Sequence, residues 1–243
     1  MKKTLSVILL SLLLAVSAFA LAACGGGMSA DDLANAYEAY TTAEKITLTI
    51  EDNDRHINFI SDGYRLKSNV KISFDASKDA VFVSVDYFRF NLIEAQNGRG
   101  TYEMYYVLDG ANVIQYKRNT GVGSPNWELI NVEKFSTQEQ AMTCLRNKYL
   151  NAQNVDEYLF PTFTELTFDE TYTKSFLASK YTWKLQDNRF KYTYELNFKD
   201  GKVTEFTYQH KTSNAGYVDD TRKFSMKIEY SADIPAPTGL PQA

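Results

Sequence analysis

Phe190-Lys191-Tyr192-Thr193-Tyr194-Glu195-Leu196-Asn197-Phe198-Lys199-Asp200-Gly201 is the stretch that decides the fold. Its even positions through Phe198 are aromatic or aliphatic and its odd positions are polar, so one strand carries an apolar face and a wet face. Asp200-Gly201 then suits a two-residue hairpin turn, whose central residues need positive φ. Residues 202–211 therefore return beside the first strand. A loop through Asn214 and Gly216 leads to Phe224, Met226, Ile228 and Tyr230, again on one parity. The proline-rich residues 234–241 are expected to trail over the surface.

The same signal recurs upstream. Strands resume from about Phe163, with Tyr181, Trp183 and Leu185 alternating; earlier, Tyr64, Leu66, Val70, Ile72 and Phe74 hold one parity, interrupted only by Ser68, after an Asp62-Gly63 turn. In the run from Ala80, Val81, Val83 and Val85 are odd but Phe88, Phe90 and Leu92 are even, which predicts a bulge near Asp86-Tyr87. Tyr102, Met104, Tyr106 and Leu108 form a strand between the turn dipeptides Asn97-Gly98 and Asp109-Gly110, residues 111–117 return, and residues 127–132 add a short strand after a glycine-rich loop at 119–126. Ile46, Leu48 and Ile50 open the series. Glu51-Asp52-Asn53-Asp54 reads as a solvated turn, followed by a short strand at 55–60. The spacing of a calcium loop, with its glycine and distal glutamate, is missing there.

Two capping-box patterns mark helices. Ser29-Ala30-Asp31-Asp32 precedes Leu33, Ala36, Tyr37 and Tyr40, and Ser136-Thr137-Gln138-Glu139 precedes Met142, Leu145 and Tyr149; residues 154–160 add a further helical turn or two. Short amphipathic helices need an apolar surface to lie on. The fold class expected is mainly β (α+β): a large curved antiparallel sheet, a half-barrel of about ten strands, with an N-terminal helix and a short helical pair covering its concave face.

Ahead of this domain, Leu21-Ala22-Ala23-Cys24 resembles the lipobox of bacterial lipoproteins. Lys2 and Lys3 form a positive n-region and residues 5–14 an apolar h-region of signal-peptide length. The resemblance implies that the Cys24 thiol takes a diacylglyceryl group and that the chain is cut before it. The competing reading is a spanning helix, for which residues 4–23 are long enough; the lone cysteine after small residues favours the lipobox. Two acyl chains hold a protein at a membrane face far more firmly than one. The organisation expected is a signal peptide at 1–23, a lipidated cysteine and flexible linker at 24–28, one β domain at 29–235 and a tail at 236–243. The location implied is the extracytoplasmic side of the cell membrane.

Composition narrows the function. Cleavage removes Lys2 and Lys3 and takes the formal charge from -4 to -6, which argues against nucleic acid as a partner. About 215 residues then remain, enough for one domain with a real core. Cys144 has no partner once Cys24 is modified, so no disulfide is expected in the mature chain, and Cys144 reads as a small buried residue on a helix. His56 and His210 lack neighbours at ligand spacing, so no metal and no cofactor are expected. They read as solvated or cross-strand residues. Ser68-Asn69-Val70-Lys71 matches S-x-x-K in form only, because residues three apart on a strand face opposite ways. Asp169-Glu170 and Asp219-Asp220 read as turn residues. An enzyme is not expected.

The opening helix, the meander with Asp-Gly turns, the stretch 102–127 and the hairpin around Asp200-Gly201 resemble the LolA/LppX-like superfamily of envelope lipoproteins, over residues 29–235. That resemblance implies a half-barrel with a helical lid and a hydrophobic cavity for a lipid or fatty-acyl ligand. The lining residues expected are Leu66, Val70, Ile72, Tyr102, Met104, Tyr106, Phe190, Tyr192, Tyr194, Leu196, Phe224, Met226 and Ile228. The alternative is a non-enzymatic interaction or sensor lipoprotein with a solid core and an envelope protein as partner.

Overall fold

The computed structural model describes residues 30–58, 63–91, 97–121, 125–150, 173–177, 180–186, 190–214 and 218–243. The lipobox with Cys24, the helical turns expected at 154–160, the strand expected to open at Phe163 and the pair Asp169-Glu170 lie outside them. The described chain runs α1 (Ala30–Thr41), β1 (Lys45–Asn58), β2 (Gly63–Asp75), a short 3-10 turn (Ala76–Lys78), β3 (Ala80–Asn91), β4 (Asn97–Asp109), β5 (Asn112–Asn119), β6 (Glu128–Lys134), α2 (Gln138–Leu150), β7 (Thr173–Leu177), β8 (Lys180–Gln186), β9 (Phe190–Lys199), β10 (Lys202–Asn214) and β11 (Val218–Glu229).

All eleven strands form one open antiparallel sheet in the order β6-β5-β4-β3-β2-β1-β11-β10-β9-β8-β7. It is a meander folded back once: β1 pairs with β2 on one side and with β11 on the other. The large antiparallel sheet is as expected, with eleven strands in place of about ten. The Asp200-Gly201 turn has φ of +52° and +71°, the left-handed values that its sequence anticipates.

Both helices pack on one face, here the inner face. Helix α2 lies over β2 to β5 and α1 against β10. Ala36 and Tyr40 of α1 and Ala141, Leu145 and Tyr149 of α2 join Ile46, Leu48, Ile72, Phe74, Val81 and Val83 in the main core. The Tyr149 ring stacks on Phe74 at 5.0 Å and its hydroxyl donates to the Thr41 carbonyl at 3.2 Å, so one side chain ties α2 to the sheet and to α1. A second core on the outer face holds Phe82, Ile114, Tyr116 and Trp127.

Four expectations fail because a residue's local character misreports the course of the strand. Glu51-Asp52-Asn53-Asp54 is no turn; β1 runs through it without interruption, paired on both edges. Asp219-Asp220 lies inside β11, four residues before the apolar run begins. The Asp86-Tyr87 bulge is absent: β3 keeps register with β2 and β4 throughout, so Tyr87 faces inward and Phe88 and Phe90 face outward. Asn97-Gly98 opens β4 in place of turning the chain. The tail also departs from expectation, since Ile234 is buried in the outer core and Leu240 packs on it.

Candidate functional site

The inner face is best read in rows across the strands, because residues paired in register stand side by side. One row is Tyr102, Val85, Val70, Ile50, Met226, Phe206 and Leu196, from β4 to β9. It is wholly apolar in character. The next row away from the helices is Gly100, Tyr87, Ser68, Asp52, Phe224, Tyr208 and Tyr194. The one after it is Gly98, Arg89, Leu66, Asp54, Arg222, His210 and Tyr192. Along the strands the face therefore passes from aliphatic through aromatic to charged.

The charged end is organised by Asp52 and Arg222. Arg222 donates from Nε to Asp52 Oδ1 at 3.0 Å and from Nη2 to Asp52 Oδ2 at 2.7 Å, a two-pronged pair with Asp52 only 3% exposed. Burial alone would lower the Arg222 pKa, but the Asp52 bonds and the nearby Asp54 carboxylate outweigh it and raise it. His56 of β1 pairs through Nδ1 with the Asp220 carboxylate of β11. The cross-strand role expected for His56 is thus the observed one. His210 stacks on Tyr208 at 6.1 Å, and burial lowers its pKa against the opposing pull of Asp220 and Asp54. No cluster of three or more His, Cys, Asp or Glu with metal-binding geometry occurs among the described residues.

A cleft of about 520 Å³ opens beside this face, lined by Tyr87, Arg99, Gly100, Thr101, Tyr102, Lys117, Asn119 and Gly121. Tyr87 and Tyr102 meet edge to face at 6.4 Å, and Lys117 Nζ sits 4.2 Å above the Tyr102 ring. The tyrosines can approach this closely because residue 100 is glycine: a Cβ there would stand 2.4 Å from Tyr87 Cε1. A shallower depression of about 430 Å³ on β2, β1, β11 and β10 is lined largely by outward polar residues, among them Glu51, Asn53, Lys67, Asn69, Gln209 and Lys223.

No family model matches this chain, and no curated protein does. Among solved structures it is similar to an S-type phycobiliprotein lyase from Guillardia theta, at 7% identity and a TM-score of 0.22, covering 84% of this chain and 97% of that one. It is also similar to a porin-like protein from Bacteroides uniformis ATCC 8492, at 8% identity and a TM-score of 0.29, covering 78% and 97%. Likenesses this slight carry no argument about either fold or function.

Of the lining residues expected from sequence, Val70, Ile72, Tyr102, Met104, Tyr106, Leu196, Phe224, Met226 and Ile228 share the inner core, and Leu66 stands half-buried on the same face. Tyr102 alone among them also lines the 520 Å³ cleft. The backbones of Phe190, Tyr192 and Tyr194 hold the corresponding positions in β9, while their side chains lie outside the described residues. Sequence reading missed the inward Asp52, Asp54, Asp220 and Arg222, though parity was signal enough: they continue the even series of Ile50 and of Phe224.

The remaining candidates fall where their chemistry is modest. Cys144 is half-buried on α2 and donates from Sγ to Glu133 Oε2 at 3.3 Å; burial pushes its thiol pKa up, unlike that of a nucleophile. Ser68 faces inward and Lys71 lies exposed on the opposite face of β2, so the S-x-x-K pair never meets. No described helix is long and apolar enough to cross a membrane.

Proposed function

We propose that this protein is a membrane-anchored extracytoplasmic lipoprotein that binds a lipid or acyl-type ligand against the inner face of its sheet, without catalysing a reaction on it. The observation that carries the reading is the gradient along that face, from the aliphatic row of Val85, Val70 and Ile50 to the charged row of Asp54, Arg222 and His210. Such a division is complementary to an amphiphile, whose chain favours apolar surface and whose head needs polar partners. In this reading the sheet is a half-barrel, α2 is part of its lid, and displacement of the lid admits the acyl chain. Lipidation at Cys24 holds the protein where such ligands are concentrated.

The test is native mass spectrometry with lipid extraction on the chain as its envelope makes it. A stoichiometric lipid beyond the covalent anchor is the expected result, and it identifies the ligand class directly. Replacing Tyr192 or Tyr194 by a charged residue is expected to abolish that uptake; uptake unchanged in a folded variant would count against the reading.

A second reading has its own observation. Under α2 the core is tightly filled, with Tyr149, Phe74, Leu145 and Ile72 fully buried, which suits an interaction or sensor lipoprotein that binds an envelope protein. A clean mass with no lipid, and no uptake of a fluorescent fatty acid, selects it.

A further inference from the structure

We infer that the cleft between β3, β4 and β5 is an anion site that receives the carboxylate-type head of an amphiphile, with Lys117 as the group that recognises its charge. The inference rests on the proposed amphiphile binding and adds to it where the head goes and what charge it bears.

Lys117 is the half-buried cation of this cleft; its ammonium lies over the face of Tyr102 and makes no ion pair among the described residues. Its neighbours of like charge are all engaged: Arg118 is held by Glu103 at 2.6 Å, Arg99 by Asp86 at 3.7 Å and Lys148 by Glu133 at 2.9 Å. A ring face stabilises an ammonium only in part and leaves its N–H donors available to an acceptor. The cleft contains no carboxylate of its own; Asn119, Thr101 and Arg99 supply neutral or positive polar groups around the same space. Glu128, beside Lys117 in register on β6, is exposed and does not line the cleft, so a negatively charged guest meets a cation that no lining carboxylate compensates.

One further feature says what kind of anion fits. Tyr87 and Tyr102 give the cleft two aromatic walls, so an apolar body attached to the anion has ring surface to lie against. The acidic groups Asp52, Asp54 and Asp220 stand on β1 and β11, and Asp52 and Asp220 are already held by Arg222 and His56.

The experiment uses the full chain purified in detergent, with dodecanoic acid, dodecanol and acetate as probes and native mass spectrometry as the readout. The acid is expected to bind about tenfold more tightly than the alcohol, the ratio that one charge-assisted hydrogen bond of about 1.4 kcal/mol supplies. Lys117→Gln is expected to make the two equal, and Lys117→Arg to keep the preference. Circular dichroism confirms that each variant retains its sheet. Equal binding of acid and alcohol by the unaltered protein overturns the anion site and leaves amphiphile binding standing. A preference that survives Lys117→Gln removes Lys117 from the role. Acetate that matches dodecanoate, with the same dependence on Lys117, makes the cleft a site for small free anions and overturns the assignment to an amphiphile. Absence of binding by any probe overturns both this inference and the reading beneath it.

Discussion

At the scale of single residues, the inner face depends most on one ion pair. Asp52 is almost wholly buried and meets Arg222 through two hydrogen bonds. Removing one partner of such a pair strands the other, typically at about 3–5 kcal/mol, whereas replacing both by apolar groups of similar size is often nearly neutral. Asp54 remains near Arg222 and softens the loss. Asp52→Ala is therefore expected to cost about 3 kcal/mol in urea unfolding, and the double variant Asp52→Leu/Arg222→Met distinctly less; a single variant within about 1 kcal/mol of the unaltered protein would show the pair to be idle. His210 gives a pH signature. Its folded pKa lies below the ordinary 6.5 because burial disfavours the imidazolium. The unfolded chain thus takes up the proton first, so this contribution is fully present above about pH 6.5 and is lost as the pH falls through the lower folded value. Between pH 7.5 and 5.5 the melting temperature of the unaltered protein should fall more steeply than that of His210→Gln, and equal slopes would exclude His210 as the cause.

At the scale of elements, what was legible in the sequence was whatever alternated cleanly. The Phe190–Lys199 strand, the Asp200-Gly201 turn, helices α1 and α2, and the inward set from Tyr102 to Leu108 all follow from periodicity and turn chemistry. The reading failed where an inward position is filled by a charge, because a composition rule that takes Glu51-Asp52-Asn53-Asp54 for a turn overrode a parity that the backbone keeps straight through it. No local signal says that Arg222, 170 residues away, will meet Asp52. The misplaced bulge has a related cause: Phe88 and Phe90 are apolar yet face outward, so their parity misreports the pleat. Site geometry was less legible still, since the cleft is assembled from three strands and from the space beside Gly100. Helix α2 offers a test at this scale. Leu145 and Tyr149 anchor it, and the Tyr149 hydroxyl makes long bonds, 3.2 and 3.4 Å, to the end of α1 and accepts from Arg146. Tyr149→Phe is expected to cost about 1 kcal/mol and Tyr149→Ala about 3–5 kcal/mol. Chemical denaturation checks both, and equal costs would mean that the ring stacked on Phe74 contributes nothing beyond the hydroxyl.

At the scale of the whole molecule, the sheet is too wide for one core and is covered from both sides. The helices cover the inner face near the Ile46 and Phe74 end, and the last residues of the chain cover the outer face, where Ile234 and Leu240 lie on Phe82, Ile114, Tyr116 and Trp127. Polar contacts fix that tail in place: Lys78 Nζ donates to the Ile234 carbonyl at 2.8 Å, and the buried Thr47 hydroxyl donates to the Ser231 carbonyl at 2.8 Å. The prolines keep this segment from adding a twelfth strand, because a proline nitrogen has no proton to donate to a ladder. A segment read as surface decoration is thereby a third covering element. Ending the chain after Ser231 should uncover the outer cluster, lowering stability by at least about 2 kcal/mol, the order expected for exposing one buried isoleucine. It should also create a site for an apolar fluorescent dye, whereas amphiphile binding on the opposite face should persist, because no residue of the outer cluster faces inward. If ligand uptake and outer-face protection are lost together, the two faces are coupled through the sheet and the tail belongs to the binding device; if only the dye site appears, the outer core serves stability and the inner face alone carries the function.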